Sequence, residues 1–88
     1  MLSVTTQRFR IAYAKLPKQI QEATRRAYKQ WQKDKAHPSL HFKIISHTVY
    51  SARISIQYRA LAVKQADTYV WFWIGSHADY DQLIDSLR

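Results

Sequence analysis

Between Tyr50 and His77 the chain has no stretch long enough to carry a crossover, so the apolar runs found there must pair antiparallel. From Tyr50 to Ile56 apolar and polar residues alternate. Tyr50, Ala52, Ile54 and Ile56 fall on one side and Ser51, Arg53 and Ser55 on the other, the pattern of a half-buried strand. The run from Tyr58 to Val63 follows across a tight turn, and Ala66-Asp67 marks the next turn into Tyr69-Val70-Trp71-Phe72-Trp73-Ile74. That last run is apolar on both faces. It suits a central strand with helices beneath it and a partner or ligand surface above. Strict alternation places Trp71 and Trp73 on one face, where they can stack bases or grip an apolar helix, although part of this aromatic run must be core.

The segments upstream are patterned to cover one face of such a sheet. Thr5 or Thr6 can cap a first helix with Phe9, Ala12, Tyr13 and Leu16 inward, and Leu16-Pro17 breaks it. Pro17 suits the first turn of a second helix to about Lys33 or Asp34, with Ile20, Ala23, Ala27, Tyr28 and Trp31 inward. Its basic outer face (Lys18, Arg25, Arg26, Lys29 and Lys33) reads as solvated. Leu40, Phe42 and Ile44 alternate with His41 and Lys43 as a first strand, and Ser46-His47-Thr48 turns into Tyr50. At the other end Ser76 caps a short helix, with Asp79 three residues on as in a capping box and Tyr80, Leu83, Ile84 and Leu87 inward. The expected fold is therefore α+β, a single domain over residues 1–88. A helical hairpin packs on a mainly antiparallel four-stranded sheet with a short C-terminal helix, and no strand is legible from Met1 to Val4.

Composition narrows the chemistry. Cysteine is absent, which removes disulfides and thiolates and fits a reducing cytoplasm. No window approaches the roughly 20 apolar residues of a membrane span, so a soluble, non-exported chain is expected. The net charge of +8 implies a polyanion or an acidic protein as partner. A single glycine leaves no phosphate-binding loop, so no nucleotide cofactor is expected. No metal is expected either: Pro38 prevents His37 and His41 from forming a helical pair, and no carboxylate stands at ligand spacing beside His37, His41 or His47.

Arg53 and Arg59 are the most informative pair. If the hairpin is symmetric about Ile56, they lie directly opposite each other on one face, where like charges are costly unless an anion lies between them. Phosphate suits two guanidinium groups. A register shifted by one residue places them on opposite faces, and solvation or pairing with acids is the plain alternative. His77, just past the last strand, has a side chain suited to proton transfer. If Ser76 caps the helix, His77 sits in its first turn, where the dipole favours a neutral ring. A metal-free RNA cleavage needs a base for the 2′-hydroxyl, cations for the phosphorane-like transition state and an acid for the leaving oxygen. His77, Arg53 and Arg59 together supply most of these, with Lys43 assisting in RNA binding. A histidine that only hydrogen-bonds in a turn fits the sequence equally. Tyr80 either reaches the same site or packs in the core.

The succession Leu16-Pro17, His37-Pro38-Ser39-Leu40, Tyr50-Ser51-Ala52-Arg53-Ile54, Tyr58-Arg59-Ala60-Leu61 and Trp73-Ile74-Gly75-Ser76-His77-Ala78-Asp79-Tyr80 resembles the RelE/ParE superfamily of type II toxin–antitoxin toxins. The resemblance covers nearly the whole chain. It implies a prokaryotic cytoplasmic setting and an antitoxin whose acidic or apolar segment wraps the toxin. Members similar to RelE cut messenger RNA in the ribosomal A site without metal. By position, Arg53 and Arg59 match their basic sites and His77 the basic or histidine position after the last strand. Ser51 stands where some members carry a further lysine, and Tyr80 is the candidate for the functional residue of the final helix. Two activities follow from the resemblance: an mRNA interferase, or a ParE-like toxin that inhibits DNA gyrase. A non-toxic antitoxin-binding module is a third.

Overall fold

A computed structural model describes residues 2–87, without the side chain of Leu87, whose expected inward position lies outside the described residues. The element order is β1 (Leu2–Thr5), α1 (Gln7–Ala14), α2 (Lys18–Lys33), a 3₁₀ turn (Pro38–Leu40), β2 (Lys43–Ser46), β3 (Val49–Arg53), β4 (Tyr58–Gln65), β5 (Thr68–Ser76) and α3 (His77–Leu87). The sheet has five strands in the order β1-β5-β4-β3-β2. The meander from β2 to β5 is antiparallel, as expected, while β1 joins its far edge parallel to β5.

β1 corrects the four-strand expectation. It is held at its ends by the Leu2 N–H on the Asp67 carbonyl (3.0 Å) and the Thr6 N–H on that of Trp71 (3.0 Å). Its apolar side chains are Leu2 and Val4, which are 64% and 51% exposed, so no inward apolar stripe advertises the strand. The polar Ser3 and Thr5 instead pair with Tyr69 and Trp71 on the hairpin side.

Thr6 is the cap of α1, accepting from the Phe9 N–H at 3.1 Å. Phe9 is buried, with Ala12, Tyr13 and Leu16 packed against the core. Pro17 stands just before α2 as its cap residue, not inside the first turn. The inner face of α2 centres on Trp31, 1% exposed. Thr24 is also buried, its hydroxyl donating to the Ile20 carbonyl at 2.7 Å, which makes a polar residue acceptable there. Trp31 meets Tyr69 and Trp71 edge-on at 5.2 Å each, and Phe42 stacks on Tyr50 at 5.0 Å. Such ring pairs add about 0.5–1.5 kcal/mol each beyond the area they bury.

Four details of the predicted strands are revised. Leu40 is buried in the 3₁₀ turn before β2, and not in the strand. Ile44 is 54% exposed because β2 is an edge strand. β3 ends at Arg53, and Ile56 lies 74% exposed in the turn that follows. The fourth revision bears on the site. The β4–β5 register runs Leu61 to Trp73 but Ala62 to Trp71, so Phe72 is an extra residue in a bulge. Trp71 therefore joins the core under the hairpin, and Trp73 points to the other face with Leu61.

Candidate functional site

The face of the sheet away from the helical hairpin carries the candidate residues. Arg53 pairs with Arg59 across β3 and β4, and Arg59 pairs with Gly75 across β4 and β5. Cross-strand partners share a face. The hairpin is thus symmetric about Ile56, the register that makes the two arginines neighbours. One row further along, Lys43, Ser51, Leu61 and Trp73 are successive partners, so Lys43 shares this face but stands at its β2 edge, exposed.

Arg59 is tied down by the turn it leaves. Its Nη1 donates to the carbonyls of Ser55 (2.6 Å) and Tyr58 (3.0 Å), which stiffens residues 54–57 and fixes the guanidinium beside Arg53. Burial, and after it the charge of Arg53, lowers the Arg59 pKa from the ordinary arginine value, while Tyr80 and Asp81 pull the other way. At neutral pH the group stays cationic, in a setting where holding that charge is costly and an anion is welcome.

The bulge at Phe72 and the chain's single glycine shape the neighbouring surface. A Cβ at Gly75 would stand 2.7 Å from Cζ2 of Trp73, so the indole lies over the glycine backbone, next to the strand position of Arg59. Trp73 is half-buried there and faces Tyr80 across 6.4 Å.

α3 folds back over β4 and β5 and brings the last candidates in. Its start is anchored twice. The Asp79 N–H donates to Ser76 Oγ at 3.2 Å, as the capping pattern predicts, and the His77 N–H donates to the Gln57 carbonyl at 2.6 Å, joining α3 to the turn that holds Arg59. His77 is exposed; its ring is 6.0 Å from that of Tyr80, and its Nδ1 is 3.0 Å from Oδ2 of Asp81. Tyr80 is half-buried between Trp73 and His77, on the face of the sheet away from the Trp31 core.

Arg53, Arg59, His77 and Tyr80 therefore come together, with Lys43 at the margin. Sequence reasoning passed over Asp81, although the spacing of four from His77 is legible once Ser76 is taken as the cap. Trp73 on this face had no sequence signal, since a bulge cannot be read from alternation. The other histidines have local tasks or turn positions: His37 Nδ1 accepts from the Ser39 N–H at 3.2 Å, and His41 and His47 occupy left-handed turns. A separate apolar cleft of about 530 Å³ lies on the hairpin side among Phe9, Tyr28, Trp31, Ala52, Ala60 and Trp71, and none of the candidate residues lines it.

The profile of the ParE-like toxin domain matches residues 18–82. Among curated proteins, none matches the chain. Solved structures share its fold, three of them as follows. A chain of the RelB–RelE antitoxin–toxin complex from Methanococcus jannaschii superposes with a TM-score of 0.72 at 16% identity, covering 91% of this chain and 96% of its own. The YoeB/ParE toxin from Agrobacterium tumefaciens gives 0.66 at 12% identity, covering 88% and 99%. A copper-bound mutant toxin from Helicobacter pylori gives 0.59 at 9% identity, covering 90% and 97%.

Proposed function

Because this chain belongs to the ParE-like toxin domain family, and with it to the RelE/ParE superfamily of toxins from toxin–antitoxin systems, we propose that its activity is that of a metal-independent mRNA interferase, cutting free or ribosome-bound messenger RNA in the prokaryotic cytoplasm. The observation that carries this reading is the direct opposition of Arg53 and Arg59 on a face that α3 crowns with His77. In this mechanism His77 takes the proton of the 2′-hydroxyl, and the 2′-oxygen attacks phosphorus. The bond to the 5′-oxygen breaks, and that oxygen takes a proton from water, leaving a 2′,3′-cyclic phosphate and a 5′-hydroxyl. Arg53 and Arg59 hold the phosphoryl oxygens as charge builds on them, Lys43 guides the strand, and Tyr80 closes the site from α3.

The partner in this reading is a cognate antitoxin with an acidic or apolar segment. The net charge of +8 favours such a chain, and the RelE-type neighbour from Methanococcus jannaschii was solved as an antitoxin–toxin complex. A second reading, inhibition of DNA gyrase, is favoured by the ParE-like profile itself.

Induced expression in a bacterial host, with cleavage sites mapped on messenger RNA, separates the two. Cuts are expected in the parent and absent with His77→Ala or Arg59→Ala, since losing a general base slows such a step by about 10²–10⁴-fold and losing a group that stabilises the transition-state charge by about 10²–10³-fold. Growth inhibition without cuts, together with relaxed plasmid in a supercoiling assay, would replace the ribonuclease by the gyrase inhibitor.

A further inference from the structure

We propose that Asp81 is a positioning residue that accepts the Nδ1–H of His77, fixes the imidazole tautomer and leaves Nε2 as the nitrogen presented to the ligand. The inference rests on the ribonuclease reading for its purpose, though not for its geometry. Oδ2 of Asp81 is 3.0 Å from Nδ1, across one helical turn of α3. The chain carries 14 lysines and arginines against 6 acids, so a carboxylate here has many stronger cations to choose from. Yet among the described residues the His77–Asp81 contact is the one pairing of a carboxylate with a basic side chain within 4.0 Å.

Two further features suit orientation better than surface decoration. The backbone of His77 is pinned by its N–H on the Gln57 carbonyl, at the turn whose carbonyls hold Arg59, so the ring pivots about a fixed point next to the arginine pair. The groups beside the ring are Asp81 at Nδ1 and Tyr80 at 6.0 Å ring to ring. A neutral imidazole has one N–H and one lone pair. With the N–H given to Asp81, the lone pair is at Nε2, the form a general base requires. Without Asp81, the ring is free to turn and to carry its proton on either nitrogen.

The test uses the full chain, labelled at histidine nitrogen, at mildly alkaline pH. Asp81 is 60% exposed, so Asp81→Ala and Asp81→Asn remove or weaken the acceptor without opening the core, and circular dichroism checks that they fold. In the parent the His77 resonances should report a protonated Nδ1 and a bare Nε2, and in Asp81→Ala this preference should be lost, with Asp81→Asn in between. With an RNA oligonucleotide as substrate, Asp81→Ala should lower kcat about 10- to 100-fold, the range seen when the partner that orients a metal-bound histidine is removed. KM should stay level or fall, because a carboxylate beside the arginines is gone. In a His77→Ala background the same change should cost no further rate. A parent ring protonated at Nε2, or a tautomer unaltered by Asp81→Ala, overturns the proposal. A bare Nε2 that depends on Asp81 in a protein that cuts no RNA sustains the positioning role and sinks the ribonuclease reading instead.

Discussion

Arg53 and Arg59 form a pair that works against folding, and in the proposed function the same opposition serves to bind an anion. Directly opposed like charges in a sheet are destabilising, on the order of 0.2–1 kcal/mol for such pairs. The lowered pKa of Arg59 has the same meaning. A cation whose folded pKa lies below its unfolded value weakens folding at every pH where both states are charged, and that penalty lifts only as pH rises through the folded pKa, far above neutrality. Stability near pH 7 should therefore carry no pH dependence from Arg59, while removing its neighbour's charge should help. Arg53→Gln is expected to raise stability by a few tenths of a kcal/mol in urea unfolding. Inorganic phosphate should stabilise the parent more than this variant, and equal stabilisation of both would remove the anion site from this face. Gly75 acts at the same scale, since any Cβ there would displace the Trp73 indole from the surface beside Arg59.

Among the elements, α3 is the one that brings His77, the proposed proton-transfer group, to the face of the arginines. Its start is held by the Ser76 cap and by the His77 N–H at Gln57, and Tyr80 packs on Trp73 beyond them. Ser76→Ala is expected to cost about 1 kcal/mol, the usual value of an N-cap hydroxyl, in denaturant unfolding. Messenger RNA cleavage should fall more than global stability does, as the first turn of α3 frays and His77 leaves the arginines. A variant that loses stability but keeps full cleavage would separate α3 from the site. The strand β5 contributes differently. Its bulge at Phe72 lets one strand supply Trp71 to the core and Trp73 to the opposite face, two tasks that strict alternation assigns to residues an odd number apart.

For the whole molecule, the sheet divides the labour. The helical hairpin and the aromatic cluster around Trp31 lie on one side, and the arginine pair and α3 on the other. No helix among the described residues is long and apolar enough to cross a membrane. With a net charge of +8, binding to RNA should weaken steeply with salt through counterion release. In a filter-binding or fluorescence titration, Lys43→Ala should reduce the slope of log K against log salt by about one phosphate contact, roughly 0.7 for a single strand, with little change in cleavage once RNA is bound. An unchanged slope would place the RNA path elsewhere on the surface.

Much of this arrangement was legible in the residues themselves. The stripes of α1 and α2, the meander from β2 to β5, the Ser76 cap and the hairpin centred on Ile56 follow from periodicity and turn chemistry, which depend on residues a few positions apart. The sequence by itself thus determined the elements from α1 onward and the antiparallel pairing of the meander, and it offered the symmetric register that puts Arg53 and Arg59 on one face as one of two, between which the structure chose. Only the tertiary structure decided the rest. β1 exists because Leu2–Thr5 finds the open edge of β5 at the far end of the chain, although its own apolar residues face outward. Trp73 reaches the arginine face because the pairing with β4 leaves Phe72 over in a bulge. In both cases the outcome is set by a partner strand or an open edge, and no local pattern records what will stand beside a residue once the chain has closed on itself.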